Sequence, residues 1–196
     1  MSHSKIKSKT RLGHFSIIAP YYERVIHPKY PETLISLTNL TGKETLLDAG
    51  GGTGRVSQFM IGKAKQIIVV DESFEMVQEA KRKEPLRAIC SITEHLPLKS
   101  NSFDRIIMVD AFHHVADQKK TTQELWRVLK PGGKLVVEEP DIRFINVKLI
   151  AFAEKLIGMR SHFIPPPKMR EMFRFKNCHV EIQNYGFTAW IIAEKS

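Results

Sequence analysis

The chain has 196 residues, 42% of them hydrophobic, a formal net charge of +9 and two cysteines. That length suits one domain with a sizeable core, and no apolar run approaches the about 18 residues that a membrane-spanning helix needs. Cys90 and Cys178 lie far apart with no Cys/His ligand spacing around them, which argues against a disulfide framework or a structural zinc site.

The basic start of the chain is not followed by an apolar stretch, so the expectation is a cytoplasmic protein without a signal peptide. The positive charge is unevenly placed. Lys5, Lys7, Lys9 and Arg11 crowd a short tail. Arg143, Lys148, Lys155, Arg160, Lys168, Arg170, Arg174 and Lys176 are opposed only by Glu154 and Glu171 over 143–176. The remainder is close to neutral, so those two segments carry the basic excess.

In chain order, residues 1–13 read as a disordered basic tail and 14–196 as one domain. Residues 14–41 read as a helical cap, broken into short pieces by Pro20, Pro28 and Pro31. A strand over 46–48 ends on Asp48 and runs into Gly50-Gly51-Gly52-Thr53-Gly54, with a helix expected over 53–62. A β-branched strand over 66–71 ends on Asp71, 21 residues beyond Gly50. A helix over 73–83 follows, with Ser73 as its N-cap and Glu84-Pro85 as its stop. Strands are expected over 86–91, 103–109 and 134–138, with a helix over 117–129 ended by Lys130-Pro131-Gly132-Gly133.

Residues 142–159 have an amphipathic helical pattern, with Ile145, Leu149, Phe152, Leu156 and Met159 on one face. A short basic helix over 168–175 and a hairpin of 179–184 with 187–194 close the chain. Strands alternating with helices imply a mostly parallel α/β sheet, doubly wound, with ligands at the carboxyl ends of its strands. Asp48, Asp71 and Asp110 all fall at such ends.

The glycine loop is the chemical centre of this pattern. Glycine has no Cβ and tolerates positive φ, so the loop backbone can approach a ligand closely. The spacing is Gly50-x-Gly52-x-Gly54, not the G-x-G-x-x-G of dinucleotide sites. A pyrophosphate over Asp48 would be repelled by roughly 1–4 kcal/mol. S-adenosylmethionine (SAM) carries an ammonium and a sulfonium, so there Asp48 becomes an attraction.

LLDAGGGTG, the acid of VVDES, TEHLPLKSNSFDRIIMVDAFHHV and ELWRVLKPGGKLVVEEP together resemble the class I SAM-dependent methyltransferases. Within that class they resemble most the ubiquinone/menaquinone-biosynthesis C-methyltransferases, over about residues 14–140. The resemblance implies a Rossmann-like seven-stranded sheet with an antiparallel closing strand. It implies that Gly50, Gly52 and Gly54 line the methionine part of SAM, with Asp48 near its amino group and Asp110 close by. It further implies that Asp71 accepts from the ribose hydroxyls, with Glu72 beside the adenine. Phe15-x-x-x-Ala19-x-x-Tyr22-Glu23 is similar to the family's cap, which places its Tyr near the transferred methyl. The chain has Ile92-Thr93-Glu94 where the family usually has Asp-Ala-Glu, so backbone groups of Ile92 and Thr93 are left to meet the adenine amino group. Ser16 stands where the cap commonly has Asp.

His113-His114 supplies candidates for a general base, His114 before His113, with Tyr22 a second substrate-facing candidate. No metal is expected. Three readings of 141–176 stay open beside a plain solvated helix face: a lid over the acceptor, an interfacial helix in peripheral contact with a membrane, or a phosphate-binding surface. Two functions follow. One is methyl transfer to a small-molecule acceptor, possible quinone-like chemistry included. The other is an RNA-binding protein or RNA methyltransferase using the tail and the basic segment, for which few aromatics alternate with the cations.

Overall fold

The computed structural model describes residues 30–156 and 158–196. The basic tail, most of the expected cap and Tyr22 lie outside the described residues. The described elements run α1 (Pro31–Thr38), β1 (Thr45–Ala49), β2 (Gln66–Asp71), α2 (Phe74–Lys81), β3 (Arg87–Cys90), β4 (Phe103–Val109), α3 (Gln118–Val128), β5 (Leu129–Pro140), α4 (Ile145–Leu156), α5 (Pro166–Met172), β6 (Cys178–Tyr185) and β7 (Thr188–Lys195). They form one seven-stranded sheet in the order β3-β2-β1-β4-β5-β7-β6. The first five neighbours pair in parallel, and β7 runs antiparallel to both β5 and β6. This is the Rossmann-like α/β sheet with an antiparallel closing strand expected from the sequence.

The alternation of strand side chains explains the two covered faces. Leu46, Val69, Ile107, Val136 and Ile192 point to one side, where Leu34 of α1, Ala80 of α2 and Trp190 complete the core. Their neighbours Leu47, Val70, Ile106, Val137 and Ile191 point to the other, against Leu125 of α3 and Met169 of α5. Strands buried on both faces read as continuous apolar runs, which is why β2 and β4 have the bounds the sequence predicts.

Local chemistry fixes the helix ends. The Ser73 hydroxyl accepts from Met76 N–H at the start of α2, as predicted. Asp117 does the same for Lys120 N–H at the start of α3. Two expectations are corrected. The helix over 53–62 is replaced by turns and a single 3₁₀ turn, Ser57–Met60. Gly54 and Gly62 both sit at positive φ, +72° and +79°, and so bound the helical stretch on either side. The Ser57 hydroxyl bonds to Asp48 instead of to its own turn. Strand β5 begins at Leu129 rather than 134, because the register shift opposite Phe103 and Arg105 lets 130–133 bulge out between two paired stretches.

Lys195 ties the last strand to the end of α3. Its Nζ donates to Trp126 O at 2.8 Å, Leu129 O at 2.6 Å and Asn101 Oδ1 at 3.0 Å. These meet carbonyls that a helix end leaves without intrahelical partners. Lys195→Met keeps the packing but removes the donors, and is expected to lower stability by about 2 kcal/mol, read from urea unfolding. A loss below about 0.5 kcal/mol would mean that desolvation of the ammonium cancels its bonds.

Candidate functional site

The carboxyl ends of β1, β2, β4 and β5 meet at one edge of the sheet and bring a set of carboxylates together. The glycine loop folds across this edge. Gly50 and Gly51 N–H both donate to Val70 O, at 2.7 and 3.2 Å, and Gly54 N–H to Gly51 O at 2.9 Å. Gly52 N–H donates to Asp71 Oδ2 at 2.8 Å. The loop's amides are therefore spent within the protein, not fanned outward as they are in a phosphate-binding loop.

The glycines differ in why they are glycine. A Cβ on Gly50 would lie 2.7 Å from Ala111 Cβ, one on Gly51 2.5 Å from the Asp48 carboxyl carbon, and one on Gly54 2.8 Å from Leu86 Cδ1. At those three positions the fold itself excludes a side chain. A Cβ on Gly52 meets nothing nearer than Met76 Sδ at 3.9 Å and Asp71 Oδ2 at 4.0 Å. Only the open space beside Asp71 bears on that position, apart from its φ of +56°.

Asp48 is fully enclosed beneath the loop. Its Oδ2 accepts from Ser57 Oγ at 2.7 Å, while Oδ1 is buried and has no hydrogen-bond partner. Burial pushes its pKa up to about 6, against the pull of the Ser57 hydroxyl and the Arg55 guanidinium. Asp71 accepts Ser73 N–H on Oδ1 at 2.9 Å as well as Gly52 N–H on Oδ2. Burial raises it too, against those two N–H bonds. Asp71 thus ties α2 to the glycine loop. Glu72 beside it is exposed.

Beyond β3, Ile92 is exposed but Thr93 is turned inward, its hydroxyl 3.1 Å from that of Thr121. The Thr93 side chain is thus directed into the core beside α3. Asp110, at the end of β4, sits at φ +50°, a conformation Asp tolerates better than most residues. Its carboxylate pairs with Arg55 at 3.8 Å.

Past β4, sequence reasoning found the histidines but missed their partners. Glu139 of β5 accepts Ala111 and Phe112 N–H on Oε1, at 2.9 and 2.7 Å, and contacts His113 Nδ1 with Oε2. Burial pulls His113 down, but the adjoining Glu139 carboxylate outweighs it and holds the ring above its usual pKa. His114 places Nδ1 2.7 Å from Arg160 O, and burial together with His113 holds its pKa below the ordinary value. The two rings are 3.9 Å apart, and Phe163 stacks on His113 at 4.0 Å. Only the acidic run Glu138-Glu139 two strands' length away hinted at this network. Pairing β5 beside β4 brings it to the histidines.

Residues 47–137 match the methyltransferase domain family. An uncharacterized methyltransferase of Mycobacterium tuberculosis is 32% identical over 115 residues, 58% of this chain and 46% of that protein. The ubiquinone/menaquinone biosynthesis C-methyltransferase UbiE of Haemophilus ducreyi is 30% identical over 124 residues, 58% of this chain and 48% of its own. Over residues 47–137 the chain is similar to methyltransferase domains. It spans about half the length of the curated relatives it matches. The same fold is seen in a SAM-dependent methyltransferase of Thermotoga maritima, described as a possible histamine N-methyltransferase. That structure superposes with a TM-score of 0.75 at 24% identity over 93% of this chain and 98% of its own.

The cofactor this domain family implies is SAM, and the residues fit it. Loop amides closed onto Val70 and Asp71 offer no anion cradle, a Cβ at Gly52 would meet only open space beside the Asp71 carboxylate, and the enclosed Asp48 carboxylate favours a cationic donor by its charge rather than by contact. A helix dipole adds little, since the helix expected after the loop is only one 3₁₀ turn.

Glu138 gives the methyltransferase edge a measurable titration. Its Oε2 accepts Trp190 Nε1–H at 2.8 Å. Burial, with Asp110 and Glu139 nearby, raises its pKa to about 7 against the Trp190 bond and Arg55. A carboxyl raised on folding stabilises the native state below its unfolded pKa of about 4.3, and that contribution is lost as pH rises through about 7. Glu138→Gln, which keeps an acceptor for Trp190, is expected to flatten the fall in stability between about pH 5 and 8. At pH 8 it should be the more stable variant by up to about 3 kcal/mol. Parallel melting-temperature curves for the two proteins would contradict this.

Proposed function

We propose that this chain transfers a methyl group from SAM to a small-molecule acceptor of apolar, quinone-like character. The observation that carries the proposal is the glycine loop turned onto Asp71, with open space at Gly52 beside that carboxylate, next to an edge that also presents the His113–His114 pair. SAM supplies a methyl already activated on a sulfonium. The protein's part is to hold an acceptor in line with it, which is chiefly a matter of positioning.

In this reading Asp48, Gly50, Gly52 and Gly54 line the methionine end, Asp71 and Glu72 the ribose and adenine end, and Asp110 the wall between them. Ile92 and Thr93 offer backbone groups to the adenine. His114 is the proton acceptor. With Nδ1–H on the Arg160 carbonyl, its lone pair resides on Nε2, and the depressed pKa keeps the ring neutral near pH 7. Tyr22 and the 14–41 cap would cover the donor, and the 141–176 insertion would act as a lid.

An apolar acceptor is supported by α4. Ile145, Leu149, Phe152 and Leu156 make a stripe 61–72% exposed, beside Lys148 and Lys155. Such a face suits a lipid-like molecule or a membrane surface that holds one. RNA is less well supported, because part of the basic excess is structural. Arg143 is bound to Asp141 through three guanidinium bonds, two from Nε and one from Nη2, and Arg170 Nε donates to Val180 O.

Two measurements test the reading. In calorimetric titration with SAM, Asp71→Ala is expected to weaken binding by about 1–3 kcal/mol through lost charge-assisted bonds. Gly52→Val is expected to abolish it by filling the open space beside Asp71. Because a valine is strained at the φ of +56°, a melting curve run alongside checks that the variant is folded, and Gly52→Ala, the less strained change, is expected to weaken SAM binding in the same direction. Labelled SAM should then pass its methyl to hydroxylated or quinol aromatics, but not to total RNA. Tight nicotinamide or flavin binding with no SAM binding would overturn the proposal.

A further inference from the structure

The His113–His114 pair is not alone. Glu154, reaching over from α4, brings a carboxylate oxygen to the two imidazoles, and one potential ligand atom from each residue lies within 4.8 Å of the others. The carboxylate is steered there by Ser161, whose Oγ donates to Glu154 Oε2 at 2.5 Å. Both rings are also held from behind. His113 Nδ1 rests on Glu139 and His114 Nδ1 on the Arg160 carbonyl. Metal-binding histidines almost always donate their second ring N–H to such a carboxylate or backbone carbonyl, which fixes the tautomer and directs the other nitrogen to the ion.

We propose that His113, His114 and Glu154 form a binding site for a divalent first-row transition cation of the Zn2+ type, with His113 and His114 ligating through Nε2. Two imidazoles and one carboxylate make a borderline donor set. It suits Zn2+ or Co2+ and is a poor one for Mg2+ or Ca2+, which prefer oxygen ligands throughout. A tetrahedral ion at about 2.0–2.1 Å from its ligands needs them about 3.4 Å apart, so side-chain adjustments of about an ångström close the site. Three protein ligands leave the fourth position open, as in catalytic rather than structural zinc sites.

The cluster also joins three parts of the fold. The turn after β4 supplies both histidines, β5 supplies the carboxylate behind one of them, and α4 supplies the third ligand. A bound ion would therefore clamp the far helix onto the edge where the acceptor is proposed to sit. It would also compete with a proton for the His114 lone pair. On the proposed methyltransferase reading, an acceptor hydroxyl at the open position would then be acidified by the cation rather than deprotonated by His114. Only this last consequence rests on that reading.

The test uses the full chain, stripped with chelator and titrated with Co2+ alone without SAM. One equivalent is expected to give the intense visible bands of four-coordinate Co2+, displaced by Zn2+. His114→Ala and Glu154→Gln should each weaken binding at least tenfold. Glu139→Gln, which keeps an oxygen for the Ala111 and Phe112 amides, should weaken it about 10–100-fold through the lost support of His113. Absence of the bands at one equivalent would overturn the proposal. So would unchanged binding by both the His114→Ala and Glu154→Gln variants, since the ion would then sit on other histidines of the chain. Because no SAM is present, either outcome leaves the methyltransferase reading to its own titration.

Discussion

The arrangement depends on where the amides of the glycine loop point. Val70 O takes two of them and the Asp71 carboxylate a third, so the loop is sewn to the end of β2. A nest of outward amides would attract an anion. A closed loop over buried carboxylates does the reverse and leaves the edge with negative character. That character is reinforced by Asp110, Glu138 and Glu139 from the neighbouring strands, and it is tempered by Arg55, which pairs with Asp110. In the proposed reading, the selection of a cationic cofactor follows from this charge distribution more than from any single contact.

Holding so many carboxylates out of water is costly, and the structure offsets the cost in different ways. Asp71 receives two backbone N–H groups, Glu139 two more and a histidine, and Glu138 an indole N–H. Asp48 receives only one hydroxyl. Asp48 and Glu138, each with a single donor, are raised by burial to about 6 and about 7. Perturbed acids of this sort concentrate at functional edges.

Much of this was legible in the sequence, for identifiable reasons. β2 and β4 are buried on both faces, so their apolar runs mark their ends to the residue. Ser73 caps α2 because a cap is a local event. The stretch after the loop was misread because its apolar residues fit a helix, whereas the glycines at positive φ and the Ser57–Asp48 bond shorten it to one turn. Asp48 was placed near the donor by its charge, but Gly51 backs directly onto it, so the loop backbone lies across its carboxylate. Glu139 and Glu154 escaped notice because their relation to the histidines is made by strand pairing and by a distant helix, and neither leaves a spacing to read.

Helix α4 is fastened unusually. Val147 is its buried residue, whereas Ile145, Leu149, Phe152 and Leu156 face outward. Asp141 N–H on Phe187 O at 2.8 Å holds the approach to its first turn, and His162 N–H on His113 O at 2.7 Å, beside the His114–Arg160 contact, holds the segment beyond its last. A segment held at two points and by one apolar plug opens with little free energy compared with the sheet beneath it. Its amides should therefore exchange with solvent deuterium long before those of β5, and whatever seats itself on the outward stripe would slow that exchange along the whole helix.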